Sequence, residues 1–141
     1  MATSAFAIPA SFRAAALVGV LWNAFGVAMY LSAVGVFGDP TAGLSEAERM
    51  AAEKIPAIIM AAFGIGTVTG LAGSIGLLLG RRWAWPLLLV SLVALLILEG
   101  WIVFLSGDLE LHGLAVPIAV TVGALLLAWL AHLARRRGWL R

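Results

Sequence analysis

The sequence predicts an all-α fold: an integral membrane bundle of four transmembrane helices with both termini cytoplasmic. Three observations carry that expectation. Of 141 residues, 63% are hydrophobic and 11% charged, with no cysteine, whereas a soluble domain carries about 25% charge; mean hydropathy is +1.08. The apolar residues fall into four runs near the length of about twenty that carries a helix across roughly 30 Å of hydrocarbon. The bases are also sided: Arg13, Arg81, Arg82, Arg135, Arg136, Arg137 and Arg141 lie on one side of the four spans, with only Arg49 and Lys54 on the other. By the positive-inside rule the arginine-rich side is cytoplasmic. Asp39, Glu46, Glu48, Glu53, Asp108 and Glu110 then face outward.

Residues 1–13 carry no charge before Arg13, and Pro9 argues against a continuous helix through them. They are expected at the interface. The first span is read over about 14–37, an apolar run too long for a signal-peptide core of roughly 7 to 15 residues. Gly38-Asp39-Pro40 opens a polar interval. Within it, Ser45 and Glu48 have capping-box spacing and introduce a short amphipathic segment, about 44–54, with Leu44, Ala47, Met50 and Ala51 as its apolar face. Pro56 starts the second span, about 57–79, where Ala62, Gly66, Gly70 and Ser74 recur every fourth position beside Gly73. Such a row lets another helix approach closely. The short turn at Gly80–Trp83 makes the third span, about 84–105, an antiparallel neighbour of the second, with Pro86 in its first turn. Ser106–Gly113 is a polar turn, and the fourth span follows over about 114–133 before the terminal arginines. Trp83, Trp85, Trp129 and Trp139 gather at the cytoplasmic interface as an aromatic belt. Without linker or repeat, residues 1–141 read as one domain.

Glu99 is the one acid inside a span, about 9 Å from the outer end of its helix at 1.5 Å per residue. Intramembrane acids usually face the bundle interior or a watery cavity. Tyr30 and Thr121 fall at a similar depth; Asn23 and Ser91 lie nearer the cytoplasm, and Ser91, Leu95 and Glu99 share a face. Glu99, Tyr30, Asn23, Ser91 and Thr121 therefore form a candidate polar binding layer. Its roles remain open: a hydrogen-bonded clamp between helices, a solute or proton site, or a contact with another subunit. Gly66, Gly70, Gly73 and Ser74 are the expected helix-packing residues. His112 and His132 stand on opposite faces of the membrane and cannot share a metal. A weak outer site from Asp108, Glu110 and His112 lacks any ligand spacing, so no metal and no cofactor is expected. HExxH, GxSxG and phosphate-loop motifs are absent, so no catalytic residue is assigned. The basic residues border apolar spans, which argues for membrane orientation rather than nucleic-acid binding.

Leu21-Trp22-Asn23-Ala24-Phe25-Gly26-Val27, the Gly73–Pro86 run GSIGLLLGRRWAWP and Ser91-Leu92 resemble stretches of small bacterial four-helix membrane proteins that often carry the automatic label of sugar transporter. The resemblance implies four membrane helices and carries no activity residue by residue. Abundant Ala, Gly, Leu and Arg also fit a bacterial chain, placing it in the inner membrane. The leading functional expectation is a non-enzymatic subunit or scaffold acting through helix packing in the lipid bilayer, as a homo-oligomer or with other membrane subunits. The alternative is a transporter or channel for a small solute or protons using Glu99.

Overall fold

The computed structural model of the chain describes residues 8–106 and 113–141. Among them are five helices and no strand: α1 (Ala10–Ala33), α2 (Glu46–Glu53), α3 (Ala57–Leu78), α4 (Ala84–Phe104) and α5 (Ala115–Arg136). The four long helices are apolar enough and long enough to cross a membrane, and indicate a multi-pass membrane protein. The expected outer turn residues Asp108, Glu110 and His112 lie outside the described residues.

α1 starts and stops about four residues earlier than the hydropathy pattern suggests. Pro9 acts as its N-cap residue, so Arg13 lies in the helix. At the other end Gly35 turns left-handed at φ +82°, while the Val36 N–H donates to Leu31 O at 3.0 Å and the Gly35 N–H to Ser32 O at 3.0 Å. This Schellman closure satisfies carbonyls the helix would leave bare, and a residue with a Cβ would resist that φ. Val34, Val36 and Phe37 are apolar but belong to the turn.

α3 is the central helix. It packs against α1 on one side and α4 on the other, and α4 in turn packs against α5. Both pairings of α3 are antiparallel, as the glycine neighbours show. Against α1, a Cβ at Gly64 would meet Tyr30 and one at Gly26 would meet Thr67; against α4, Gly66 faces Leu95 and Gly73 faces Leu88. Its low side-chain volume is thus used twice within one chain. Gly66, Gly70, Gly73 and Ser74 are all buried, so the small-residue row seats α1 and α4 of the same molecule and is not open to a further helix.

α1 and α5 meet only sparsely, at Gly19 against Leu127 and Gly123 against Trp22. The bundle is therefore open along that seam, where an apolar groove of about 540 Å³ runs past Trp22 and Leu126. The best-buried cluster sits at the arginine-bearing end: Phe12, Ala16, Leu77, Ala84, Leu88, Ala131, Ala134 and Leu140. Leu140 belongs to a C-terminal tail that folds back instead of trailing off. Gly138, at φ +70°, lets the Trp139 N–H reach Ala134 O at 3.0 Å. Trp139 then packs edge-on to Phe12, ring centroids 5.3 Å apart.

Candidate functional site

The buried faces of the long helices bring the polar residues inward at nearly heptad spacing. The buried residues of α1 are Phe12, Ala16, Gly19 and Asn23; those of α4 are Ala84, Leu88, Ser91, Ala94, Leu95 and Glu99. The sequence-derived face of Ser91, Leu95 and Glu99 is thus one buried stripe. On α1 the inward face carries Asn23, while Trp22 is 46% exposed and turns toward the α1–α5 seam.

Asn23 and Ser91 converge on α3 from opposite sides. Asn23 Nδ2 donates to Gly19 O at 2.9 Å and across to Ser74 Oγ at 3.2 Å. Ser91 Oγ donates to Gly66 O at 2.6 Å. Both side chains crowd the space beside Gly70, where a Cβ would collide with Asn23 Oδ1 and stand 2.8 Å from Ser91 Oγ. This knot ties three helices, and its donors are committed to the protein. Thr67 and Thr69 bond carbonyls of their own helix, at Phe63 and Ile65.

The other members of the expected polar layer go separate ways. Tyr30 packs the hydroxyl end of its ring against Gly64 and meets Phe63 edge-on, with ring centroids 5.6 Å apart. Thr121 is half-buried on the stripe of α5 that includes Pro117 and Ala124. Neither forms a hydrogen bond to Glu99.

Glu99 is 7% exposed, and its Oε2 finds no hydrogen-bond partner among the described residues. It lines a cavity of about 310 Å³ between α2, the end of α4 and the start of α5. α2 forms the cover. Its N-terminus is fixed by a complete capping box: the Ser45 N–H donates to Glu48 Oε2 at 2.8 Å, and the Glu48 N–H donates to Ser45 Oγ at 3.3 Å. The face it turns to the cavity is Leu44, Glu48, Ala51, Ala52 and Ile55. Of the apolar face read from the sequence, expected on the membrane or on the bundle, Leu44 and Ala51 line the cavity and Ala47 and Met50 are exposed. The cavity contact follows the 44–48–51–55 stripe.

Glu48 and Glu99 are the acids on the cavity wall, and among the described residues no lining residue is basic. Trp101 adds an aromatic wall, while Ser106 spends its hydroxyl on Ile102 O at 2.7 Å. No group of three or more His, Asp or Glu side chains suited to a metal ion occurs among the described residues. The arrangement is an apolar chamber with one unsatisfied buried acceptor, chemistry that suits a hydrogen-bond donor or a cation with an apolar body. No family model, curated protein or solved structure matches the chain, so this chemistry rests on its own residues. The sequence located Glu99 but not its surroundings; the only advance signal of the α2 cover was the Ser45/Glu48 spacing.

Proposed function

We propose that the chain is a non-enzymatic multi-pass protein of the bacterial inner membrane, both termini cytoplasmic, that receives a small organic cation at Glu99 from the outer side as a step in its transport. The observation that carries this reading is the buried Glu99 carboxyl with Oε2 unpartnered on a cavity. A clamp between helices needs a bond that Oε2 does not make among the described residues. Among the described residues the cavity has no lining base and carries the Trp101 ring, which suits an ammonium group, so positive charge is favoured. Orientation follows from the arginines, which put the Glu99 end outside. Deeper in the bundle Leu95 and the committed Ser91 interrupt the polar stripe, so translocation requires helix movement or an assembly of several copies.

The test is flux in liposomes, with methylammonium and tetramethylammonium as probes and solid-supported-membrane currents as readout. Wild type should give a current that Glu99→Gln abolishes while the helical circular dichroism and melting profile persist. A Glu99→Gln protein that conducts like wild type, or a wild type inert to both probes, refutes the reading.

A second reading, a small subunit or scaffold, is favoured by the apolar α1–α5 groove. It requires a helix of another membrane protein or of a second copy in that seam. Native mass spectrometry after gentle extraction from its own membrane is the first discriminator: stoichiometric foreign chains support the subunit role, whereas a pure homo-oligomer fits both readings and leaves the Glu99→Gln flux comparison to decide between them.

A further inference from the structure

The end of the bundle opposite Glu99 carries a pocket of different chemistry. It has a volume of about 510 Å³ and is lined by Arg82, Trp85, Pro86, Arg135, Gly138 and Leu140. Its backbone is fixed on both sides. The Arg141 N–H donates to Gly80 O at 2.7 Å and the Arg82 N–H to Arg141 O at 3.1 Å, which pins the returning tail to the α3–α4 turn. Leu140, 3% exposed, forms part of the apolar wall.

The two guanidinium groups are held differently but to the same effect. Arg82 Nε donates to Leu140 O at 3.3 Å, which orients the fork and leaves its terminal nitrogens without a bond among the described residues. Arg135 lies over the Trp85 ring, 5.9 Å from its centroid, and the same indole meets His132 with ring centroids 5.2 Å apart. Neither arginine is paired with a carboxylate among the described residues. No Asp or Glu occurs in residues 1–38, 54–98 or 111–141, which supply this end, whereas seven arginines do. Coulombic repulsion among so many bases is offset most directly by an anion.

Planar guanidinium forks match phosphate oxygens in pairs. The position decides which phosphate. The pocket sits where apolar spans give way to arginine and tryptophan, the level of lipid headgroups, and basic pockets between membrane helices bind anionic headgroups there. Trp85, Pro86 and Leu140 supply the apolar side against which the first methylenes of an acyl chain can lie. We propose that Arg82 and Arg135 form a site for the phosphate diester of an anionic phospholipid.

The experiment uses the full chain in neutral detergent, titrated separately with phosphatidylglycerol, phosphatidylcholine and inorganic phosphate. Thermal melting and native mass spectrometry are the readouts. Phosphatidylglycerol should raise the melting midpoint and persist as a bound adduct. Arg82→Gln with Arg135→Gln should weaken that binding by about tenfold or more. Arg13→Gln with Arg136→Gln removes the same charge from residues that do not line the pocket and should leave binding within about twofold of wild type, because charges away from the phosphate act only through screened solvent. Arg135→Gln alone, which breaks no hydrogen bond to the tail, gives the same direction of change if the Arg82 variant misfolds. Equal losses in the two double variants, or equal stabilisation by phosphatidylcholine, would overturn the site. Stabilisation by inorganic phosphate alone would overturn the lipid assignment.

Discussion

Replacing Gly70 by alanine isolates the contact on which the bundle turns. In a helix interior the exchange ordinarily gains about 1 kcal/mol, because glycine is the poorer helix former. At Gly70 the new methyl collides with Asn23 Oδ1 and comes within 2.8 Å of Ser91 Oγ and 3.0 Å of Asn23 Cγ. Neither side chain can swing away without giving up a bond, the one to Ser74 Oγ at 3.2 Å and the other to Gly66 O at 2.6 Å. Overpacking a tight site costs about 1–3 kcal/mol, and interhelical bonds in membranes average about 0.6 kcal/mol each, so losing both adds roughly 1 kcal/mol. Set against the propensity gain, Gly70→Ala should destabilise by about 1–3 kcal/mol, or on the order of 5 °C in melting midpoint. Gly100 is the internal control: it lies in α4, and a Cβ there meets nothing within 4 Å, so Gly100→Ala should be neutral or slightly stabilising. Thermal unfolding in one detergent, with oligomer mass measured in parallel, checks both. Gly70→Ala melting with wild type would refute the close approach. A change in oligomer mass without a change in stability would refute the conclusion that the glycine row is used within one chain.

Two further expectations concern the acidic end. Ser45→Ala removes the cap that starts α2 and should weaken that helix by about 1 kcal/mol, read as faster amide exchange confined to Glu46–Glu53, with α3 unaffected. Asp39 is held below the ordinary carboxylate range by the Thr41 N–H and hydroxyl, each 2.8 Å from its Oδ1. A depressed value means that the carboxylate supports the turn at pH above the ordinary range of about 3.9 and loses that support as pH falls through the lowered pKa. Thr41→Val should move the Asp39 carboxyl titration, followed by carbon NMR, upward toward the ordinary range.

What the sequence made legible divides by physical scale. Hydropathy integrates over a whole span, so the four long helices were readable, the short one was marked by its Ser45/Glu48 capping spacing, and α3 and α4 start where expected, at Ala57 and Ala84. Helix ends depend on local closure. Val34, Val36 and Phe37 are as apolar as the span before them, and only the left-handed glycine at Gly35 ends α1. The returning tail was invisible for a similar reason: Arg135, Arg136 and Arg137 read as a solvated stop, whereas Leu140 and Trp139 beyond them are packed on the bundle. Periodicity along one helix gave the Ser91–Leu95–Glu99 face. It did not say which neighbour that face meets, and depth alone grouped Tyr30 with Glu99 although Tyr30 is occupied at Gly64.

The same register accounts for the isolation of Glu99. The antiparallel pairing that sets Gly73 against Leu88, Gly70 against Ser91 and Gly66 against Leu95 brings Ala62 to the level of Glu99, one further turn along both helices. Alanine has no side-chain donor, and its N–H is held within the helix. On α5 the cavity is bounded by Val116 and Pro117, and proline has no N–H at all. Ser106, the nearest hydroxyl on its own helix end, is turned to Ile102 O. The stripe of α4 thus passes from a polar partner at Ser91, through an apolar one at Leu95, to a level where the neighbouring long helices offer methyl groups and a proline ring. A donor for Glu99 has to come from outside these spans, and the cavity beneath α2 is the space in which it fits.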